Sequence, residues 1–280
     1  IDQPHQIFTA LDAYDEPFAD TSLIPCYYLA QFSRQFVTVA LSGDGGDELF
    51  AGYETYLADR YHRRLRFLPP SIKKMAFQLI NRHMRSSFNK VSLDYKLKQF
   101  LAGLNYDHER AHYSWREIFS PAEKQQLCSA ELQQQFTSDP FDEYRQHYDA
   151  VKEAHWLDQS SYVDMKTWLV DDILTKIDRS SMAHSLELRC PFLDHRMVEF
   201  SAQLPTNWKL KSQEKKYYLK RSQQNRLPKK IIYRKKRGFN APIAHWLLNK
   251  QMIKPVESLL LNQSMTTLFN ADVIKKLIFD

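Results

Sequence analysis

The sequence predicts an α/β protein in which a short strand-turn-helix core leads into a mostly helical body. Three observations carry that reading. The apolar, β-branched run Phe36-Val37-Thr38-Val39-Ala40-Leu41 reads as one buried strand at about 36–41. Four of the six glycines in the chain, Gly43, Gly45, Gly46 and Gly52, fall just behind it. Glycines gathered at a strand-to-helix turn mark backbone that must bend sharply or approach something closely. Beyond residue 69 the apolar spacing is that of helices.

Taken in order, residues 6–14 read as a short helix, broken by Asp15-Glu16-Pro17 because proline disfavours a helical residue before it. Thr21 or Ser22 caps the next helix, with Pro25 in its first turn. The strand and the glycine turn follow, and a single helix is expected from Glu48 to about Leu68. Helix, strand, turn and helix in succession is the local grammar of a doubly wound sheet. Only this one strand is convincing, so its partners are expected elsewhere, upstream of Ile1. Residues 1–68 are therefore read as the remnant of an α/β core and 69–280 as a helical body. In that body Ser120-Pro121-Ala122-Glu123 has the signature of a capping box. Helical spacing runs from Asp139 to His184, residues 185–194 read as extended, Asp194 caps a further helix, and Gln213 to Gln224 reads as a basic helix.

Composition narrows the function. With 43% hydrophobic and 26% charged residues the chain is an ordinary globular protein. A net charge of +6 permits an anionic substrate and does not require nucleic acid. Cys26, Cys128 and Cys190 lack metal-site spacing and read as free thiols of a reducing cytoplasm. No apolar run is long enough to span a membrane.

Four constellations bear chemistry. At the glycine turn, Asp44, Asp47 and Glu48 would repel a phosphate unless Mg²⁺ sat between them, since that ion takes carboxylate and phosphate oxygens together; as ordinary helix-start residues they need no ligand. Around Asp172, Lys176 and Arg179 the spacing either builds a helical ion pair or aims two cations at an anion. The run Arg234-Lys235-Lys236-Arg237-Gly238-Phe239 is either solvated surface or a loop that brings a lysine over a site. Glu187 and Arg189 are charges in an apolar stretch, read for Arg189 as a salt bridge to the core.

Together these stretches resemble the synthetase domain of glutamine-dependent asparagine synthetases. The resemblance rests on residues 42–53, on Asp15-Glu16-Pro17-Phe18-Ala19-Asp20, on the segment from Lys176 to Asp194, and on Lys236-Arg237-Gly238-Phe239 through Pro242 and Trp246. It implies a partial ATP-pyrophosphatase (adenine nucleotide alpha hydrolase-like) fold and a two-step ligase. ATP would adenylate the side-chain carboxylate of aspartate, and ammonia from glutamine, released in an upstream glutaminase domain, would then form asparagine. ATP and Mg²⁺ are the implied cofactors. By motif, Ser42, Gly43 and Asp44 would lie against the nucleotide, with Asp44 also beside the reacting carboxylate. Asp47 would help to hold Mg²⁺-pyrophosphate, Lys236 would stabilise the adenylation transition state, and Arg179 would stand next to the phosphates. Glu187 is included with the catalytic group.

Two family features are missing here, the SGGxDS pyrophosphate loop and the glutaminase nucleophile. The chain also starts at Ile1 and stops within a helical pattern. The expectation is a C-terminal piece of a synthetase domain that alone neither hydrolyses glutamine nor binds ATP tightly, from a cytoplasmic enzyme with a homodimer among its expected forms. Two alternatives stand beside it. One is an amidotransferase for another carboxylate, such as a surface-polysaccharide sugar acid. The other is a basic module that binds nucleic acid or a protein partner.

Overall fold

The computed structural model describes residues 4–83, 93–234, 241, 246 and 250–279. Helices α1 (Pro4–Leu11) and α2 (Leu23–Arg34) open the chain. Ser22 stands at the start of α2 as expected but makes no cap bond there. Its amide donates to Asp20 Oδ1 at 2.9 Å and its hydroxyl to Asp20 Oδ2 at 2.7 Å. The carboxylate thus folds the entry turn, as Asp side chains commonly do.

Strand β1 (Val39–Leu41) pairs in parallel with β2 (Glu187–Arg189), in the register Val39 with Glu187, Ala40 with Leu188 and Leu41 with Arg189. This partner lies far downstream in the chain, where the sequence reads as merely extended. The expected burial of β1 is not met: Leu41 is 74% and Val39 39% exposed. Alternate residues of a strand face opposite ways, and only the face of Ala40 and Leu188 lies against helices. Apolar identity announced burial on both faces, but identity does not say which face is covered.

The turn after β1 needs its glycines. Gly45 has φ +85°, and a Cβ there would stand 2.2 Å from Leu193 Cδ2. Helix α3 (Gly46–Leu49) is short, and α4 (Glu54–Leu65) begins only after a break. The single helix expected from Glu48 to Leu68 is therefore two. Ala51 takes the left-handed φ of +53°, and a Cβ on Gly52 would fall 1.8 Å from Asp47 Oδ1.

The body follows as α5 (Pro70–His83), α6 (Leu93–Gly103), α7 (His108–Ser114), α8 (Pro121–Leu127), α9 (Ala130–Gln133), α10 (Phe141–Ala150) and α11 (Trp156–Lys166). The expected capping box is complete at Ser120 and Glu123. A π-helical turn, Trp168–Leu174, joins α11 to α12 (Thr175–Met182). After β2, Asp194 starts α13 (His195–Gln203) by accepting from the amide of Arg196. Helix α14 (Thr206–Lys209) leads into a hairpin of β3 (Leu210–Lys211) and β4 (Glu214–Lys215), followed by α15 (Tyr217–Ser222). The basic helix expected from Gln213 is thus shortened. Ser212 and Lys216 both adopt left-handed φ of +53°, which no helix continues through. The chain ends in α16 (Lys229–Ile232), α17 (Lys250–Leu260), α18 (Gln263–Leu268) and α19 (Ala271–Phe279).

One apolar cluster, Ala51, Tyr56, Leu157 and Leu210, ties α4 to α11 and β3. A second, Ala10, Leu23 and Ile24, fastens α1 to α2. The three cysteines are free. Among the described residues no helix is long and apolar enough to cross a membrane.

Candidate active site

Helices α2 and α12 and the covered face of the two-stranded sheet enclose a cavity of about 440 Å³. Its walls are largely apolar, and Ser42, Asp44, Lys176, Ser180 and Cys26 bring polar atoms to it. A mostly apolar pocket with a few convergent polar groups is the ordinary form of a small-molecule site. Ser42 donates a hydrogen bond to Asp44, which fixes the carboxylate at the turn. Gly43 is exposed, and a Cβ built on it would meet nothing within 4 Å. The backbone of this turn is therefore open to a ligand on one side.

Lys176 is the cation of the cavity and is 6% exposed. Its ammonium pairs with Asp20 and stands 4.0 Å from Asp172 Oδ2. Burial pushes the Asp20 carboxyl up, but Lys176 outweighs it and holds the group below its usual value. Asp172 is less well served. Burial raises its carboxyl to about 6 against the pull of Lys176, and Asp20 adds to the rise. The thiol of Cys26 is pushed up by burial to about 11, so it is no thiolate nucleophile near neutral pH.

The sites expected from sequence are only partly gathered. Ser42 and Asp44 line the cavity with Lys176. Arg179 stands one turn beyond Lys176, exposed, and donates to Asp15 Oδ2 at 2.9 Å. The two cations of α12 are thus held by carboxylates of the Asp15–Asp20 stretch. Glu187 does not join them: it bonds Arg189 at 2.8 Å on the uncovered face of the sheet, with both side chains more than half exposed. The expected salt bridge from Arg189 to the core is corrected accordingly, because a residue paired with Val39 or Leu41 in this register faces outward. Lys236 lies outside the described residues. Its neighbours Ala241 and Trp246 pack against the cluster of Ala10, Leu23 and Ile24, beside Tyr14 and Phe18. Tyr14 in turn donates to the carbonyl of Lys176 at 3.0 Å. Four separated stretches of sequence therefore meet around α2 and α12.

The acidic turn does not assemble as a metal cage. Asp44 faces the cavity, Asp47 pairs with Lys216 at 3.0 Å, and Glu48 is buried and accepts from Tyr53 at 2.6 Å. Three carboxylates that point three ways do not make an all-protein cage, whereas Mg²⁺ is usually held by one or two carboxylates together with phosphate and water oxygens. Among the described residues no group of three or more His, Cys, Asp or Glu is placed to hold a metal.

Beneath the turn lies a buried network that sequence reading missed. Ser161 donates to the carbonyl of Glu48 at 2.7 Å. The guanidinium of Arg116 lies 5.0 Å from the Tyr53 ring and 4.4 Å from the Trp168 ring. It donates to Asp164 at 2.6 Å, and His112 bridges Asp164 at 3.1 Å to Asp59 at 2.9 Å. Asp59, His112 and Asp164 are 0% exposed. Burial pulls the His112 imidazole down, but the two carboxylates outweigh it and raise it to about 9. Burial raises Asp164, yet Arg116 and His112 bring it to about 2. The available signal was polar residues at helical spacing on otherwise apolar faces, Asp59 on α4 and His108 and His112 on α7.

Comparison with known proteins identifies the family. Residues 2–279 match the family model described as asparagine synthase. The chain belongs to the asparagine synthase family. It is 31% identical over 275 residues to asparagine synthetase [glutamine-hydrolyzing] 1 of Bacillus subtilis, covering 95% of this chain and 40% of that protein. It is 32% identical over 253 residues to a putative asparagine synthetase [glutamine-hydrolyzing] of Mycobacterium tuberculosis, covering 86% of this chain and 35% of the relative. The chain thus spans about two fifths or less of the length of these relatives. No solved structure matches it. Two of the stretches that carry the resemblance, residues 42–53 and 176–194, line the cavity together with α2 and β1.

Proposed function

We propose that this chain carries the synthetase site of an ATP-dependent amide ligase that converts aspartate to asparagine. One observation supports this most directly: Asp44, on a turn whose backbone is open at Gly43, lies in the same cavity as the buried cation Lys176. An oxygen of the aspartate side chain attacks the α-phosphorus of ATP, and the bond to pyrophosphate breaks. Ammonia drawn from glutamine then attacks the acyl carbon, AMP leaves, and the ammonium sheds its proton to solvent or to a nearby carboxylate. The first step places negative charge on transferring phosphoryl oxygens, and fixed cations stabilise that charge best in a water-poor site.

In this reading Ser42 and Gly43 lie along the nucleotide and Asp44 orients the reacting groups. Arg179 exchanges its exposed partner Asp15 for a phosphate. Asp47 and Lys216 stand at the pyrophosphate end, and Lys236 brings the cation that stabilises the adenylation transition state. Glu187 has no position that supports a catalytic part. The fold proposed for the whole domain is of the ATP-pyrophosphatase type, the site works together with a glutaminase domain, and the enzyme acts in the cytoplasm.

The test uses the full-length protein. Aspartate-dependent exchange of pyrophosphate into ATP is expected, together with asparagine formation when glutamine is added. Asp44→Asn should lower the exchange rate about 100-fold or more, the scale of losing one transition-state contact. Exchange that proceeds without aspartate but with a sugar carboxylate would assign the chemistry to a different acceptor. Exchange unchanged in Asp44→Asn would remove the turn from the site.

A further inference from the structure

At the far end of α4 from the acidic turn, a second cavity of about 300 Å³ is lined by Arg60, Arg63 and Arg64 together with His155, Trp156 and Leu210. We propose that it binds a small organic phosphate, a ligand for which nothing in the synthetase reading accounts. The three arginines stand at spacings of three and four residues, so they share one face of the helix. No aspartate or glutamate among the described residues lines the cavity. Among the described residues, Arg63 and Arg64 have no carboxylate partner. Arg60 is already fixed, since it donates to the carbonyl of Leu210 at 3.0 Å and to that of Ser212.

The surrounding charges point the same way. Burial lowers the His155 imidazole; Asp158 opposes this, and Arg63, Arg60 and Lys209 reinforce it. Asp158 is the carboxylate nearest in effect, and it is engaged by Lys209 at 2.8 Å. The cavity is thus a positive concavity, and Asp158, the carboxylate that acts on its histidine, is already paired with Lys209. Planar guanidinium forks match phosphate oxygens two at a time, which lysines do not. The size fits a phosphate carrying an organic group and leaves excess room for a bare ion. Trp156, with Arg63 6.0 Å from its ring, supplies a flat wall for a sugar or a base.

The test is calorimetric titration of the full-length protein with ribose 5-phosphate and, separately, with uridine 5′-monophosphate. The double variant Arg63→Gln/Arg64→Gln should bind each at least tenfold more weakly, with its melting temperature unchanged because both side chains are exposed. A charge-matched control, Arg145→Gln/Lys229→Gln, should bind within twofold of the natural protein. Tighter binding of the nucleotide than of the sugar phosphate assigns the flat wall to a base, and equal binding assigns recognition to the phosphate alone. Equal loss in the control, no loss in the double variant, or no saturable binding of either compound at millimolar concentration overturns the proposal.

Discussion

Two of the networks of cations and carboxylates among the described residues differ in whether their partners are replaceable. In the helical body, Asp59, His112, Asp164 and Arg116 close on one another away from water, with Asp164 side chain 0% and Arg116 7% exposed. At the cavity, Lys176 is held by Asp20 and more loosely by Asp172, while Arg179 is held by Asp15, a side chain 70% exposed. A closed network can only hold elements in place. A cation whose carboxylate reaches in from solvent is neutralised now and remains available to a phosphate. The contrast separates structure from chemistry in a protein where both are written with the same residues.

Cutting the closed network gives the largest expected effect. Arg116→Met removes the bond to Asp164 and the cation between the Tyr53 and Trp168 rings. Removing one member of a buried pair leaves an uncompensated charge and costs about 3–5 kcal/mol. Urea unfolding should show that loss as a lower midpoint. A loss below about 1 kcal/mol would mean that the body network resembles the cavity network after all.

The pH dependence of stability sharpens the same comparison. His112 has a folded value of about 9, above the roughly 6.5 of an unfolded histidine. Its contribution is therefore full below about 6.5 and is lost as pH rises through 9. Asp164, held at about 2, contributes above the ordinary carboxylate value and loses that contribution as pH falls through 2. The network is strongest between these limits. Stability should fall by on the order of 2–3 kcal/mol from pH 6.5 to 9, and the slope should vanish in His112→Gln. A slope that persists in that variant would assign the titration to another group.

The two networks were unequally legible in the sequence. The cavity was announced by its local motifs: glycines at Gly43, Gly45 and Gly46, and a lysine one helical turn from Asp172. Such signals are read within a dozen residues, and the glycine turn and the capping box at Ser120 both appear where expected. The body network joins three helices separated by about fifty residues each, as in the bond from His112 to Asp164. No local pattern states which helices will meet. The same limit hid the partner of β1, because parallel pairing across so long a connection is a tertiary choice. It also misled the reading of Glu187 and Arg189, since the apolar run around them showed a strand but not which of its faces would be covered.

The smallest expected effect is the most specific. Arg179→Gln breaks only the bond to Asp15, and an ion pair this exposed contributes about 1 kcal/mol or less. The unfolding midpoint should therefore stay near that of the natural protein, unlike that of Arg116→Met. If Arg179 leaves Asp15 for a phosphate of the bound nucleotide, the variant should raise KM for ATP several-fold in pyrophosphate exchange, while Asp15→Asn, which frees the same cation, should not raise it. A guanidinium that serves only to tether the Asp15–Asp20 stretch predicts the opposite pairing, with both variants weakening ATP equally because each cuts the same bond. The two substitutions together thus distinguish a cation held in reserve for substrate from one spent on the fold.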